Sequence, residues 1–198
     1  MGEKCLQPLY PGLIGHDWNS LDPQIQQFHS APGDRRGAGM FQVHHGSTWR
    51  ARALAWILRL PEEGQDVPAR LKVSNVGDPV AGNRHGEVWN RAFGNRELIS
   101  FQYANQDGCL AERFGIMELW FRLEVVERSL KFVTVGGALV AGIIRIPLPL
   151  RLCPEVCARV FGGEEGRERF NVSVSLRVPC FGLVLAYEGY IDPEVAIS

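Results

Sequence analysis

No stretch of this chain approaches the roughly 20 consecutive apolar residues that a membrane-spanning helix requires, so no span is expected. The most apolar run, Phe132 to Leu152, is interrupted by Gly136, Gly137, Gly142, Arg145, Pro147 and Pro149. The opening residues MGEKCLQPLYPG lack the apolar centre of a signal peptide, and Leu6 stands where an acylation signal prefers serine or threonine. A cytoplasmic location is the expectation. The sequence also lacks any Cys-x-x-Cys, and its five cysteines form no paired framework, which points to reduced thiols. Cys153 and Cys157, four apart, are expected on a short helical turn. Charge of one sign is missing too. The 21 Lys+Arg are scattered against 22 Asp+Glu, a net charge of -1, which excludes a strongly basic nucleic-acid binder. Five histidines have no spacing that brings three ligands to a zinc ion. There is no Gly-x-Ser-x-Gly elbow, and GGEEGR lies between two expected strands, where it reads as a hairpin loop and not a phosphate cradle. Neither metal nor cofactor is therefore expected.

What the chain does have is 22 glycines and 12 prolines, a composition that suits short strands and tight turns. Its 198 residues correspond to one domain with a sizeable core. The expected plan is a loop-rich segment over 1–40 with a short helix, a main helix over 48–60, and an antiparallel sheet over 67–192. In the first segment Asp22 is a plausible N-cap and Pro23 suits the first helical position, with Ile25 and Phe28 on one side. SAPGDRRGAGM reads as a flexible connector. Ser47 can cap the main helix, whose Trp49, Ala53, Trp56, Ile57 and Leu60 share a face expected to lie across the sheet.

From Val67 the period becomes two. Leu71 and Val73 alternate with charged neighbours, and FGNRE and NQDG mark two hairpin turns. Leu119, Phe121, Leu123 and Val125 fall on one side of a strand. The clearest alternation sets Phe170, Val172, Val174, Leu176 and Val178 inward. Eight to ten such strands with one main helix predict a mainly β (α+β) fold: a strongly curved antiparallel sheet or barrel wrapped on that helix, with a plain sandwich as the alternative. A closed sheet of this size can hold one small ligand.

Several segments together resemble a bacterial family of unknown function: YPGLIGHDWNSLDPQIQQFHS, GEVWNRAFG, GCLAERFG, IRIPLPLRLCPEV and GRERFNVSVSLRVPCFGLVLAYEGYI. The resemblance runs from about Tyr10 to Asp192 and is most specific between Pro147 and Tyr190. Members of that family occur alone or fused behind a saccharopine-dehydrogenase-like NAD-binding domain. The resemblance implies no transferable activity. By position, its characteristic residues correspond to His29, Trp89, Arg91, Phe93, Glu112, Arg113, Phe114 and Tyr187. One departure is GALVAGIIRIPLP, more apolar than the basic, tryptophan-containing strand usual there.

Read on their own, the candidate residues divide as follows. His44 and His45 are adjacent on a strand, so they point to opposite faces and cannot share a metal; they read first as a strand-to-helix junction, with His45 a proton carrier second. Glu87, Trp89, Arg91 and Phe93 share one face, where an arginine between aromatics is either a stacked structural pair or a ligand anchor. Glu112 and Arg113 point to opposite faces, and an inward Glu112 needs a partner such as Arg91. Three functions fit. The first is binding of a small, largely apolar molecule, lined by Trp49, Trp56, Trp89, Phe93 and Tyr187 and oriented by Arg91 with Glu112 or Tyr187, Arg113 being a further candidate contact. The second is a cofactor-independent cyclase or isomerase in which His45, Glu112 or Tyr187 moves a proton. The third is an accessory role beside a separate NAD(P)-dependent reductase, suggested by the fusions. A homodimer is a further candidate partner.

Overall fold

The computed structural model describes residues 8–31, 33–77, 85–163 and 169–194. Helices α1 (Leu9–Ile14) and α2 (Pro23–Ser30), joined by a 3-10 turn over Gly15–Ser20, precede β1 (Arg35–His45) and α3 (Trp49–Ile57). Then come β2 (Gly64–Gly77), β3 (His85–Phe93), β4 (Arg96–Ala104), β5 (Leu110–Phe114) and β6 (Met117–Val126). The chain continues through β7 (Ser129–Ala141), β8 (Ile144–Pro147), β9 (Glu155–Gly162), β10 (Phe170–Val178) and β11 (Gly182–Glu194). All pairings are antiparallel, and ten strands close into a barrel in the order β1-β2-β3-β4-β5-β6-β7-β9-β10-β11. The eleventh, β8, pairs with the far half of β7. Closure leaves no unpaired edges in the ring, which removes the usual liability of a long sheet.

The two-residue period decides the inside. Phe170, Val172, Val174, Leu176 and Val178 do point inward, as do Leu119, Phe121 and Leu123. Gly94 and Gly108, at φ 55° and 73°, make the two turns expected in FGNRE and NQDG. The seam between β1 and β11 brings glycines against the facing backbone. A Cβ built at Gly39 would collide with the Tyr190 carbonyl, and one at Gly189 with that of Met40, so only glycine lets these backbones approach.

The stretch read as a connector, GDRRGAGM, is instead the first half of β1 from Arg35 onward. Its glycines suggested flexibility, but they are what the close seam demands. Cys157 lies on β9, not on a helical turn, because pairing with Ser175 continues the ladder through it. The loop GGEEGR falls largely outside the described residues.

The main helix also differs from its expectation. Thr48, not Ser47, caps it, accepting from the Ala51 N–H at 3.2 Å, and the helix ends at Ile57. Its buried face is Ala51 and Ala55, packed on Val184 of β11 on the outside of the barrel. Trp49 and Trp56 are 74% and 76% exposed. Small side chains let the helix sit close to the wall, and that contact won over the larger residues.

The element that enters the barrel is the helical N-terminal segment. Asp22 caps α2 by accepting from the Gln24 N–H at 3.0 Å, with Pro23 at the first position. Ile25 and Phe28 are then buried with Tyr10, Ile14 and Leu21 in the main core. Each fully buried side chain of this size contributes about 1.5–3 kcal/mol. The Asp22 N–H also donates to the Arg128 carbonyl at 2.9 Å, fastening this plug to the β6–β7 turn. One end of the barrel, where β1 begins and β11 finishes, is thereby stoppered.

Candidate functional site

Between the plug and the opposite end the barrel leaves a space of about 500 Å³. Its wall is Phe41, Leu71, Phe93, Leu119, Phe121 and the inward valines of β10, with Tyr10 and His29 of the plug at its base. Leu58 and Leu60, just after α3, border its open end. The half-burial of Val172, Val174 and Leu176 follows: they face this space and not packed neighbours. A shallower depression of about 460 Å³ at the rim, beside Cys153 and Cys180, lacks comparable chemistry. Burial pushes the Cys153 thiol up, away from a reactive thiolate.

One polar cluster stands on the apolar wall. On β3, Arg91 donates from Nη1 to Ser100 Oγ and from Nη2 to Glu112 Oε1, both at 2.9 Å. Ser100 donates to the same Glu112 Oε1 at 2.6 Å. The guanidinium lies 4.8 Å from the Trp89 ring centroid, a stacking contact that fixes its plane. The cluster follows from cross-strand register: Arg91 is paired with Leu98, two residues from Ser100, and Glu112 with Gln102, again two residues from Ser100. Burial pulls the Arg91 pKa down, but Glu112, Tyr187 and Tyr10 outweigh it and hold it above its ordinary value.

Two groups in this cluster keep unused capacity. Glu112 spends only Oε1; Oε2 takes no hydrogen bond from any described residue and keeps accessible surface. The Tyr187 hydroxyl likewise has no protein partner among the described residues. Burial raises the Tyr187 pKa; Arg91 lowers it and Glu112 raises it again. The phenol therefore stays a neutral donor at ordinary pH.

At the base of the space a second ion pair has both of its carboxylate oxygens engaged. Arg35 Nη2 meets Glu87 Oε1 at 2.7 Å with both side chains almost fully buried, and Trp89 Nε1 donates to Glu87 Oε2 at 3.0 Å. Tyr10 donates to Gln102 Oε1 at 2.6 Å and packs on His29 with ring centroids 3.8 Å apart. Burial, assisted by the Arg35 charge, drops the His29 pKa to about 3. Its Nδ1 is buried without a partner among the described residues. The interior thus holds two matched ion pairs and a neutral imidazole.

Of the residues singled out from the sequence, the fold brings Trp89, Arg91, Phe93, Glu112 and Tyr187 together in the barrel. His29 and Phe114 line the same space, but His45, Arg113, Trp49 and Trp56 do not. His45 Nε2 lies 2.7 Å from the Pro61 carbonyl at the strand-to-helix junction, outside the pocket wall. Arg113 points outward and donates to the Gly115 carbonyl at 3.1 Å. Trp49 and Trp56 face away on α3. Sequence reasoning passed over Ser100, Gln102, Arg35 and Tyr10. Ser100 and Gln102 share the inward parity of Leu98 on β4, so alternation alone could have found them; Arg35 and Tyr10 were hidden by the loop reading of the first forty residues.

A family model described as a domain of unknown function, DUF4166, matches residues 21–191. The chain belongs to this family. No curated protein and no solved structure matches it. The DUF4166 region takes in α2, nine strands of the ring in full and β11 as far as Ile191, with every residue of the Arg91–Glu112–Tyr187 cluster. Tyr10 precedes the matched residues. Among the described residues, no three histidine, cysteine, aspartate or glutamate side chains converge as metal ligands, and no helix is long and apolar enough to cross a membrane.

Proposed function

We propose that the barrel binds one small, largely apolar and electrically neutral molecule. The observation that carries this is the pairing of free valence with spent charge. Arg91 is already matched by Glu112 and Arg35 by Glu87, so the interior offers no net charge to a ligand ion. A ligand carboxylate would meet Glu112 Oε2 unshielded, and a ligand cation would lie among apolar walls with Arg91 beside it. A hydroxyl fits: it can accept from the Tyr187 phenol and donate to Glu112 Oε2. The rest of such a ligand would lie on Phe93, Phe121 and the β10 valines, in the usual division of an apolar pocket with few placed polar groups.

The test is competition between a long-chain alcohol and the carboxylate of equal length for an environment-sensitive apolar dye. The alcohol is expected to displace the dye at least about tenfold more effectively, a difference of about 1.4 kcal/mol. Equal displacement, or a preference for the carboxylate, overturns the reading. Native mass spectrometry of the purified protein adds the mass of any molecule that travels with it.

A catalytic reading rests on the same oxygen. Glu112 Oε2 is a carboxylate acceptor inside a largely apolar space, with a phenol donor on the same wall, which suits proton transfer in an isomerisation or cyclisation of a neutral substrate. His45 has no part in it, since it lies outside the pocket wall. Glu112→Gln distinguishes the two readings: it keeps the acceptor for Arg91 and Ser100, so retained binding with lost turnover assigns catalysis, and retained binding with no turnover by the unaltered protein assigns carriage.

A further inference from the structure

The large apolar side chains exposed on this protein are not spread over it. All but Ile99, Val126 and Phe161 belong to elements at the open end of the barrel. On one side of the opening α3 presents Trp49, Trp56, Ile57 and Leu58 to solvent while its alanines face the wall. On the other side the β7–β8 hairpin carries Ile143 at its tip, fully exposed, with Ile144 and Ile146 behind it. A two-residue hairpin turn ordinarily carries polar residues. Here Gly142, at φ 60°, supplies the left-handed position and isoleucine takes the tip.

The two elements that flank the mouth carry charge of one sign, while Glu62, Glu63, Glu97 and Glu155 lie beyond them at the same end. The segments 46–61 and 133–154, which build these two sides, contain Arg50, Arg52, Arg59, Arg145 and Arg151 and no aspartate or glutamate. Arg145 is engaged by Glu118 and Arg52 approaches Glu63 at 4.0 Å, whereas Arg50, Arg59 and Arg151 form no ion pair among the described residues. Tryptophan, isoleucine and leucine interleaved with unpaired arginines is the chemistry of an interfacial membrane contact. The rings and branched chains enter the boundary layer and the guanidiniums meet anionic headgroups. The apolar groups ring an opening instead of forming one flat face, and that opening leads to an apolar space.

We propose that the open end of the barrel docks on an anionic lipid bilayer surface, with α3 and the β7–β8 hairpin as the contact on either side of the mouth. Docking places the mouth against the apolar layer, so a neutral guest passes between bilayer and barrel without crossing water. The guest's passage rests on the binding reading above; the docking does not.

The experiment is flotation of the full chain with vesicles of phosphatidylcholine alone or of phosphatidylcholine mixed with phosphatidylglycerol, beside the dye titration in vesicle-free buffer. The protein is expected to float with the mixed vesicles and less with phosphatidylcholine alone. Ile143→Asp and Trp56→Ser, both at exposed positions that the fold does not need, are each expected to lower the bound fraction at least about tenfold while the dye titration stays unchanged. No flotation with either vesicle, or flotation indifferent to both substitutions, overturns the proposal. A dimer in sedimentation that both substitutions dissolve gives the surface to a second copy of the chain and also overturns it. Flotation without dye binding leaves the docking standing and removes the guest.

Discussion

Two glutamates on neighbouring strands, Glu112 of β5 and Glu118 of β6, make the most instructive comparison in the molecule. Both are nearly buried, both meet an arginine, and both have an indole two residues along or across the cluster. They lie on opposite faces of the wall. On the outside, Glu118 uses both oxygens. Tyr103 donates to Oε2 at 2.8 Å, Trp120 Nε1 to Oε1 at 2.7 Å, and Arg145 Nη2 reaches both at 2.6 and 2.7 Å. On the inside, Glu112 concentrates its bonds on one oxygen and leaves the other facing open space. The same residue types thus make a strap in one place and a receptive site in the other. What separates them is unspent hydrogen-bonding capacity, not burial or charge.

The first way to break that comparison is to remove each charge in turn. Glu118→Gln puts an amide N–H among three donors and leaves Arg145 without its counterion, so a loss of about 3 kcal/mol is expected in urea unfolding, at the low end for a buried pair because Arg145 can turn to water. Glu112→Gln can keep its carbonyl oxygen toward Arg91 and Ser100 and turn its amide into the space, but it also leaves Arg91 buried without its counterion, so a loss of about 3 kcal/mol is expected there as well. A loss at Glu112 clearly larger than that at Glu118 would mean that Glu112 Oε2 also holds a protein donor, and the receptive site would disappear.

The second concerns pH. His29 has a folded pKa of about 3 against about 6.5 in the unfolded chain. Between those values the unfolded chain binds the additional proton, so stability rises with pH through this window and is lost as pH falls below about 6.5. Lowering pH from 7 to 5 is expected to remove about 2 kcal/mol from this group alone. His29→Phe, which keeps a ring against Tyr10 and abolishes the unpartnered nitrogen, is expected to flatten the urea midpoint over that range. An unchanged pH slope in the variant would show that the imidazole takes up its proton in the folded protein as readily as in the unfolded chain, and the inner face would then gain a third cation on acidification.

Much of this arrangement is legible in the sequence. A strict period of two in β3, β5, β6 and β10 fixes which side chains share a face, and Arg91 and Glu112 could be matched because a buried carboxylate needs a cation. Register is what alternation does not contain. Whether Ser100 falls between Arg91 and Glu112 depends on the two hairpin turns holding one alignment, which composition alone leaves open. The helices failed for a different reason. A helical face of two tryptophans and an isoleucine reads as core by hydrophobicity, but Ala51 and Ala55 permit the closer approach to β11, and the larger residues are left for another surface. Glycines misled in β1, where Gly37 and Gly39 mark a tight seam and not a flexible connector.

The smallest expected effect is also the most specific. Tyr187 packs its ring on Phe41 and Phe93, with centroids 5.7 and 5.0 Å away, so its hydrocarbon belongs to the wall while its hydroxyl has no partner among the described residues. Tyr187→Phe removes only that oxygen. Since no protein hydrogen bond is lost, unfolding should be unchanged within about 0.5 kcal/mol. A neutral alcohol in the space would lose one neutral hydrogen bond, about 1 kcal/mol, or about fivefold in Kd. An alkane of equal length has no such bond to lose, and its affinity should be the same in both proteins. Loss of alcohol affinity without loss of alkane affinity locates the polar end of the guest beside Glu112; a parallel loss of both would mean that the ring had moved, and that the phenol belongs to the wall as Trp120 belongs to the strap outside.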